Sequence, residues 1–489
     1  MEINRREALA SLAVLAASVN TTARAIDQTK THVLILGAGL SGLATGYALK
    51  QLGIPFTILE AKRQPGGRVK TLRAGFADNL SAEAGATFIR DNHDLTLRYC
   101  AEFGLTLLPL TDRYTTGEYF VRGTNIRSPE SSETRWPYAL TSEERRLGFF
   151  GMLAKYIGTP ADSIGDIHAV GWPRHEAFPL DAVSLQEFLL KLGASRDASE
   201  LIRIGYWDLA SDGPLSLSAL SALRDWRNES GSTMTYMIKG GSDLLPRAFA
   251  KRLGDSIRYG CVAQCIEQNA LGVRVHFMQT GEKKTLLGSH ALCTLPFSVA
   301  KNLKFIPELS VAKRRVVDGL NYTSITRVYL QTANRFWNDS GFAGTLSTDL
   351  PIMWARDASV NQPGTRGILE SYKCGKEARR AGALQPDHRV DHVTQNMEIV
   401  FPGLKDRVEY GITKVWDDDP FARGGYCYFK PGEMTSLWPH VSAPEGRIHF
   451  AGEHTSTWPG WMQGALASGL RAADEIFKLI SKTGEHPTY

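Results

Sequence analysis

Apolar positions in the first third of the chain fall into short continuous runs. Residues 32–36 form one such run, and residues 55–59 form another that ends at Glu60. Runs of this length are typical of strands that are buried on both faces of a parallel sheet. The intervening residues 43–52 have a helical composition, so the pattern predicts a strand–helix–strand unit near the start of the fold.

The middle of the chain has a different pattern. Leucine and alanine recur at helical spacing over roughly residues 100–235, as in residues 183–192, and this spacing predicts a helical cap. Residues 111–181 within this region are rich in proline, glycine, serine and tyrosine and show little periodicity. That composition predicts loops over the entrance of a cavity.

A glycine-rich turn connects the first predicted strand to its helix. In the G-x-G-x-x-G sequence, Gly37 permits a tight turn, Gly39 allows close backbone approach to a pyrophosphate, and Gly42 allows helix and strand to pack. The helix N-terminus offers free N–H groups to phosphates. Glu60 follows at the spacing expected for an acid that accepts hydrogen bonds from ribose hydroxyls. The dinucleotide contacts predicted here are Gly37, Gly39, Leu40, Ser41, Gly42, Glu60 and Ala61.

Composition narrows the class of protein. The 489 residues predict two or three domains, and 43% hydrophobic with 22% charged residues excludes a disordered chain, a collagen or a coiled coil. The 56 basic and 51 acidic residues give a net charge of +5, with the basic residues scattered along the chain. This distribution argues against nucleic acid as a partner and favours a small molecule.

The N-terminal segment predicts export. Arg5 and Arg6 precede an apolar run over residues 8–19, and residues 23–25 supply the small-x-small pattern of a cleavage site. The run is too short to span about 30 Å of hydrocarbon as a helix, so no stable membrane insertion is expected. Residues 1–25 resemble a twin-arginine signal, which implies a periplasmic or secreted protein that binds its cofactor before export. A frayed N-terminal helix is the alternative.

Cysteines and candidate metal ligands add no further site. The six cysteines form no C-x-x-C pair and are predicted to be buried free thiols. His388 and His392 are four residues apart but have no third ligand nearby, so no metal is expected. Residues 417–419 are three consecutive aspartates, which we interpret as solvated carboxylates of a loop.

Residues 64–68, Gln-Pro-Gly-Gly-Arg, resemble the second fingerprint of the flavin-containing amine oxidases. Residues 83–89, 238–246, 260–262, 293–299, 336–337, 450–454 and 460–465 resemble further motifs of that family, in the same order. The resemblance implies FAD, held noncovalently because Cys427 lies one place later than the cysteine that tethers FAD in monoamine oxidases. The cofactor contacts it implies are Gly66, Gly67, Arg68, Gly85, Ala86, Thr87, Val262, Gly452, Glu453, Trp461 and Met462.

One branch of the family is the most similar. Residues 335–337, 347–351, 452–455 and 460–461 resemble L-amino acid oxidases. This resemblance implies oxidation of an L-amino acid by O2 to a 2-oxo acid, ammonia and hydrogen peroxide, with a preference for large apolar or aromatic side chains.

The resemblance also implies candidates for the substrate site. Arg90 is the candidate partner of the substrate carboxylate, although the arginine of L-amino acid oxidases comes two residues earlier, where this chain has Phe88. Arg327 occupies the position of the lysine that holds a water against flavin N5. It leaves oxidase and dehydrogenase activity both open, and it can serve as a second carboxylate anchor.

Three aromatic residues are expected to line the substrate cavity. Trp461 aligns with one wall, Tyr426 falls near the opposite wall, and Trp354 lies beyond residues 347–351. Core packing explains Tyr426 and Trp354 equally well.

The sequence therefore predicts an α/β protein with a discontinuous Rossmann-like FAD-binding lobe, a mixed-sheet substrate lobe and a helical cap. We assign residues 31–90, 238–300 and 445–482 to the FAD lobe, 91–110 and 301–444 to the substrate lobe, and 111–237 to the cap. Two other functions stay open: oxidation of carboxylate-free amines by an oxidase or dehydrogenase, and a flavoprotein that uses FAD structurally or passes electrons to a protein partner. The sequence leaves a homodimer open and does not determine the oligomeric state.

Overall fold

The computed structural model describes residues 31–110, 118–127, 134–207, 209–342 and 344–483. The predicted signal peptide, residues 1–25, lies outside the described residues. Within the described ranges, no helix is both long enough and apolar enough to cross a membrane.

A parallel five-stranded sheet forms the core of the first lobe. Its strands come from three distant parts of the chain, and their order is Ile257–Tyr259, Phe56–Glu60, Val33–Leu36, His290–Cys293 and Ile448–Phe450. Both strands predicted from apolar runs are buried along their whole length, as the pattern requires. The lobe is therefore discontinuous in sequence and Rossmann-like in topology, as predicted.

Two helices from opposite ends of the chain cross against this sheet. Helix Leu40–Gln51 follows the glycine-rich turn, and helix Met462–Thr483 is the last element described. They approach so closely that a Cβ at Gly469 would lie 2.4 Å from the Ser41 carbonyl oxygen, and Thr45 Oγ1 donates a 2.9 Å hydrogen bond to Gly469 O. The C-terminal helix is thereby fixed beside the start of the glycine-rich turn.

A mixed seven-stranded sheet forms the second lobe. Its order is Val408–Val415, Ile325–Thr332, Gly367–Cys374, Trp354–Asp357, Thr345–Thr348, Glu118–Val121 and Thr124–Ile126. All pairs are antiparallel except that between Thr345–Thr348 and Glu118–Val121. Helices Gly375–Gly382 and Pro386–Val400 pack against it. The predicted mixed sheet is confirmed.

Smaller sheets fix the segments between the lobes. A three-stranded sheet joins Ile89–Arg90, Thr235–Ile238 and Leu107–Pro109, and so sets the position of Arg90. The other small sheets comprise Glu282–Gly288, Val273–Gln279, Cys261–Gln268 and Lys304–Ile306, the pair Thr71–Leu72 and Ala82–Glu83, and the pair Asn321–Tyr322 and Cys427–Tyr428.

The prediction of loops over residues 111–181 is wrong for much of the described part. Helix Ser142–Leu153 begins with a capping box between Thr141 and Glu144 and buries Phe149 against the cap. Gly148, with a φ of 67°, interrupts this helix and shifts the apolar positions out of a single helical period. The remaining cap elements are Ala154–Gly158, Thr159–Asp162, His175–Ala177, Phe178–Asp181, Leu185–Lys191, Arg196–Ile202, Arg203–Trp207 and Ala219–Glu229.

Helix Leu185–Lys191 confirms the prediction made from residues 183–192. Further helices and helical turns connect the sheets. They are Asp94–Glu102, Leu244–Leu253, Gly254–Ser256, Phe297–Ala300, Val311–Gly319, Phe336–Asn338, Lys405–Arg407, Glu433–Ser436, Trp438–Val441 and Glu453–Thr455.

The interpretation of the three aspartates is wrong for one of them. Asp417 and Asp418 are exposed, but Asp419 is buried and forms ion pairs of 2.8 Å with Lys62 and 3.0 Å with Lys414. Two lysines from distant segments converge on it and compensate for its burial.

The six cysteines are free, and all but the half-buried Cys265 are buried, so the prediction of buried thiols is confirmed.

We expect Gly42→Ala to destabilise the cofactor-free protein by about 1–3 kcal/mol, the usual cost of overpacking a tight contact. A Cβ at Gly42 would lie 2.1 Å from Gly37 O and 3.1 Å from Ile35 Cγ2, so the helix would have to move away from the strand. Urea denaturation measures the loss. Gly319→Ala is the control because a Cβ there meets nothing within 4 Å; equal stability of the two variants would contradict the prediction.

Candidate active site

One cavity of about 490 Å³ extends between the two lobes. All predicted cofactor residues except Gly42 line it, and so do Arg90, Arg327, Trp354, Tyr426 and Trp461. Gly42 instead packs the helix against the first strand. The structure thus brings the two predicted sets of residues to one continuous space of ordinary ligand-pocket size.

The glycine-rich turn leaves open space and free backbone donors at one end of the cavity. Gly37 adopts a φ of +105°, which favours glycine, and its N–H donates 2.8 Å to Leu59 O. A Cβ at Gly39 would meet no protein atom within 4 Å and would project into open space. Gly39 also begins helix Leu40–Gln51 without a side-chain cap, so the first N–H groups stay available for phosphate oxygens.

Glu60 lies at the same end of the cavity as the glycine-rich turn. Its Oε2 accepts a 2.7 Å hydrogen bond from Ala38 N and its Oε1 accepts a 2.8 Å bond from Lys62 N. Burial raises the pKa of the Glu60 carboxyl, while the two backbone donors oppose that rise. The acid therefore links the end of the second strand to the glycine-rich turn.

Arg68 and Glu453 form a buried pair near the middle of the cavity. Arg68 Nη1 donates 2.7 Å to Glu453 Oε1 and 2.5 Å to Gly425 O, and Glu453 Oε2 accepts 2.9 Å from Gly460 N. Burial disfavours ionisation of Glu453, but Arg68, His454 and the N–H of Gly460 together outweigh burial and lower the pKa of the carboxyl. The pair joins three segments of the chain.

The loop after Arg68 is crossed at very short range by the segment that precedes Arg90. A Cβ at Gly85 would lie 1.8 Å from Arg68 O, so only glycine fits at this crossing. Ala84 N donates 2.8 Å to Lys70 O and Ala86 N donates 3.2 Å to Arg68 O. The crossing exposes the backbone of residues 85–87 to the cavity.

Arg327 lies beneath this segment on strand Ile325–Thr332. Its Nη1 donates 2.7 Å to Glu83 O, and its guanidinium carbon lies 4.1 Å from the centroid of the Tyr372 ring. Tyr372 is its cross-strand partner on strand Gly367–Cys374. Burial disfavours the charged form of Arg327, but Glu370, Tyr329 and Tyr372 together outweigh burial and raise the pKa of the guanidinium.

Aromatic rings form the walls around Arg327. Tyr426 and Trp354 are half-buried and line the cavity, with the Trp354 ring 6.0 Å from that of Tyr372 and 6.2 Å from that of Phe88. Trp461 lines the cavity immediately before the last helix. Phe88, which stands where L-amino acid oxidases have their arginine, contributes an apolar surface.

Arg90 reaches the cavity, but its charge is already paired. Its Nη2 lies 3.2 Å from Glu229 Oε2, which also accepts a 2.8 Å hydrogen bond from Tyr206. Its guanidinium carbon lies 5.8 Å from the centroid of the Trp461 ring. Arg90 and Trp461 are therefore neighbours on the same side of the cavity.

His93 contacts both Arg90 and Trp461. Arg90 N donates 3.3 Å to His93 Nδ1, and the imidazole lies edge-on to Trp461 and Trp458 at centroid distances of 4.8 and 5.0 Å. Burial, with the charge of Arg90, lowers the pKa of His93 to about 3. The ring is thus neutral at physiological pH.

Sequence reasoning missed several cavity residues. Tyr206, Trp207 and Glu229 come from the cap, where no motif marks them, and Tyr372 lies in a strand without a recognised pattern. The register of strand Ile325–Thr332 against its neighbour, which places Tyr372 opposite Arg327, was not predictable from either segment alone.

A family model for the flavin-containing amine oxidoreductases matches residues 40–477, nearly the whole described chain. The chain belongs to this family. Membership implies a flavin cofactor, and the uncapped helix at Gly39 and the open backbone there fit the phosphates of such a group.

Curated relatives of this amine oxidoreductase include L-amino-acid oxidases. The chain is 33% identical over 470 residues to a putative L-amino-acid oxidase, YobN, of Bacillus subtilis strain 168, covering 93% of this chain and 96% of that one. It is 27% identical over 458 residues to an L-amino-acid oxidase of Vipera ammodytes ammodytes, covering 91% and 92%.

Solved amine oxidases share the fold. Cyclohexylamine oxidase from Brevibacterium oxydans IH-35A superposes with a TM-score of 0.80 at 23% identity, over 92% of this chain and all of the other. A putrescine oxidase bound to putrescine gives 0.78 at 21% identity, over 92% and 99%. These likenesses confirm the two-lobed α/β fold of the amine oxidoreductase.

We expect Gly39→Ala to leave the thermal stability of the cofactor-free amine oxidoreductase unchanged and to weaken FAD binding by at least about 10-fold. The backbone here is expected to approach a pyrophosphate closely, and a methyl group would fill that space. Titrating the cofactor-free protein with FAD and following flavin fluorescence measures the affinity. With Gly319→Ala as the control, an FAD affinity equal to that of the control would contradict the prediction.

We expect His93→Asn to make the protein less sensitive to acid. Because the pKa of His93 falls from 6.5 unfolded to about 3 folded, its contribution to stability is complete above pH 6.5 and is lost as the pH falls towards 3. Asparagine keeps an acceptor for Arg90 N but does not titrate. The loss in free energy of unfolding between pH 7 and pH 5 should shrink by about 2 kcal/mol, measured by urea denaturation. Exposed His388→Asn is the control, and equal losses in both variants would refute the assignment.

Proposed function

We propose that the protein is an FAD-dependent L-amino-acid oxidase that favours large apolar or aromatic side chains. The observation that carries this proposal is a cavity in which arginines stand among aromatic rings beside the dinucleotide end. An arginine fork is the best side-chain partner for a carboxylate, and aromatic walls suit an apolar side chain. The curated relatives named as L-amino-acid oxidases support the same reading.

Backbone and side-chain groups at the cofactor end of the cavity would both bind FAD. The turn at Gly37 and Gly39 and the start of helix Leu40–Gln51 would receive the pyrophosphate, and Glu60 would accept hydrogen bonds from a ribose. Arg68, already paired with Glu453, adds positive charge near the middle of the cavity. Cys427 lines the cavity but its pKa is raised by burial, so we propose noncovalent binding.

Bound FAD supplies the acceptor for the hydride that leaves the carbon bearing the amino group. The protein holds the substrate so that this carbon faces the acceptor, and Trp354, Tyr426 and Trp461 exclude water around it. A water-poor wall lowers the pKa of an ammonium group and favours the neutral amine that must react. Hydrolysis of the released imino acid gives the 2-oxo acid and ammonia, and O2 takes up the electrons to give hydrogen peroxide.

The place of action is part of the proposal. Arg5 and Arg6 with the following apolar run predict export to the periplasm or beyond.

Oxidation of carboxylate-free amines is the second candidate. The 3.2 Å pair between Arg90 and Glu229 favours it, because Arg90 is then occupied within the protein.

Peroxide production from L-phenylalanine and from phenethylamine separates the two functions. We expect kcat/KM for L-phenylalanine to exceed that for phenethylamine by about 100-fold, since hydrogen bonds to charged groups contribute about 1.5–3 kcal/mol. D-phenylalanine, the opposite enantiomer, is the control that tests whether the site binds the substrate in one orientation. Faster turnover of phenethylamine would replace the amino-acid proposal with the amine candidate.

A further inference from the structure

The two arginines at the substrate end differ in how far their charge is already satisfied. Arg90 forms its pair with Glu229, and the two side chains are 29% and 18% exposed. Tyr206 donates to the same Glu229 oxygen and completes a compact polar group. The side chains of this group are more exposed than that of Arg327, and the charges of Arg90 and Glu229 cancel.

Arg327 is more deeply buried, and not all of its donors are used: Nη1 donates to Glu83 O and, at 3.4 Å, to Thr87 Oγ1. The Arg327 side chain is 8% exposed, and its Nε has no hydrogen-bond partner. Among the described residues, Glu370 is the one acid within ion-pair distance, at 3.4 Å, and its Oε1 likewise has no hydrogen bond. The other oxygen of Glu370 accepts from Arg356 Nε, so Arg327 shares its counter-ion with a second arginine. A buried cation with donors to spare favours an anion brought into the cavity.

The phenol groups of Tyr329 and Tyr372 interact with Arg327, but its Nε still lacks a hydrogen-bond partner. The Tyr426 hydroxyl donates to Leu209 O, and the Tyr372 oxygen lies 3.2 Å from the Tyr426 oxygen. Because Tyr426 uses its proton on Leu209, the Tyr372 hydroxyl donates to Tyr426. Among the described residues that line it, the buried side-chain donors without a partner are Arg327 Nε and Trp207 Nε1.

We propose that Arg327, and not Arg90, binds the carboxylate of the substrate, and that the Arg90–Glu229 pair borders the opening of the cavity. The inference rests on the proposed amino-acid substrate. It assigns the carboxylate to the more deeply buried of the two cavity-lining arginines at the aromatic end, where solvent screens the attraction less. The guanidinium is held in place by Glu83 O on one side and the Tyr372 ring on the other, so little of its freedom is lost on binding.

Two ligands of the same shape test this inference on the FAD-loaded enzyme. Hydrocinnamate is phenylalanine without its amino group, and hydrocinnamide replaces the carboxylate of that ligand with a neutral amide. Each dissociation constant follows from the change in flavin absorbance during titration. The variants are Arg327→Met, Arg327→Lys and Arg90→Met, with Arg366→Met as the control. Arg366 is an exposed arginine paired with Glu409 and Asp78, and it does not line the cavity.

We expect Arg327→Met to weaken hydrocinnamate binding by about 10- to 100-fold, the range for a lost hydrogen bond to a charged group, and to change hydrocinnamide binding by less than about 3-fold. Arg90→Met should weaken hydrocinnamate binding by a smaller factor. Arg366→Met should bind both ligands as the wild type does. Should Arg327→Met fail to retain FAD, Arg327→Lys decides: it keeps the charge but loses the fork, so hydrocinnamate alone should bind more weakly.

The inference is overturned if Arg90→Met costs more hydrocinnamate affinity than Arg327→Met, or if the Arg327 variants weaken both ligands equally or neither. These results leave the amino-acid substrate intact when the wild type still oxidises L-phenylalanine. A wild-type enzyme that oxidises phenethylamine and not L-phenylalanine instead defeats the proposed function itself.

Discussion

The ion pair between the partly buried Arg68 and the buried Glu453 joins positions 385 residues apart, and both residues line the cavity. Arg68 also donates to Gly425 O in the second lobe, and Glu453 accepts from Gly460 N before the last helix. Removing one partner would leave an uncompensated buried charge, which is strongly destabilising. The pair therefore holds three segments around one space, and a dinucleotide end and an aromatic end face the same cavity.

A functional residue could be predicted from the sequence where a local motif marks it, and not where distant segments bring it into the site. Gly37, Gly42 and Glu60 could be assigned because one strand–turn–helix unit carries their spacing. Glu229 could not, since it enters the cavity only through packing of the cap and no motif surrounds it. Asp419 looked solvated because the lysine that pairs with it at 2.8 Å, Lys62, lies 357 residues away. The helix over Ser142–Leu153 was hidden by the break at Gly148, which disturbs its apolar period.

At the substrate end, the sequence likewise did not show which arginine has a charge available to a ligand. Position in the sequence, just after the glycine crossing, pointed to Arg90 as the carboxylate partner. The ion-pair distances weaken the case for Arg90, because Arg90 has Glu229 beside it while Arg327 shares Glu370 with a second arginine. A residue type in a motif indicates that charge is present. Its surroundings decide whether that charge is available to a ligand.

The central claim is that a carboxylate-bearing amine reacts in this cavity, and anaerobic reduction of the flavin tests it most directly. The FAD-loaded enzyme is mixed with L-phenylalanine in the absence of oxygen, and the flavin absorbance is followed in time. Omitting oxygen separates this step from reoxidation of the flavin. The account predicts complete loss of the oxidised flavin band with L-phenylalanine and a much slower loss with phenethylamine. A flavin that stays oxidised with L-phenylalanine but is reduced by phenethylamine would contradict it.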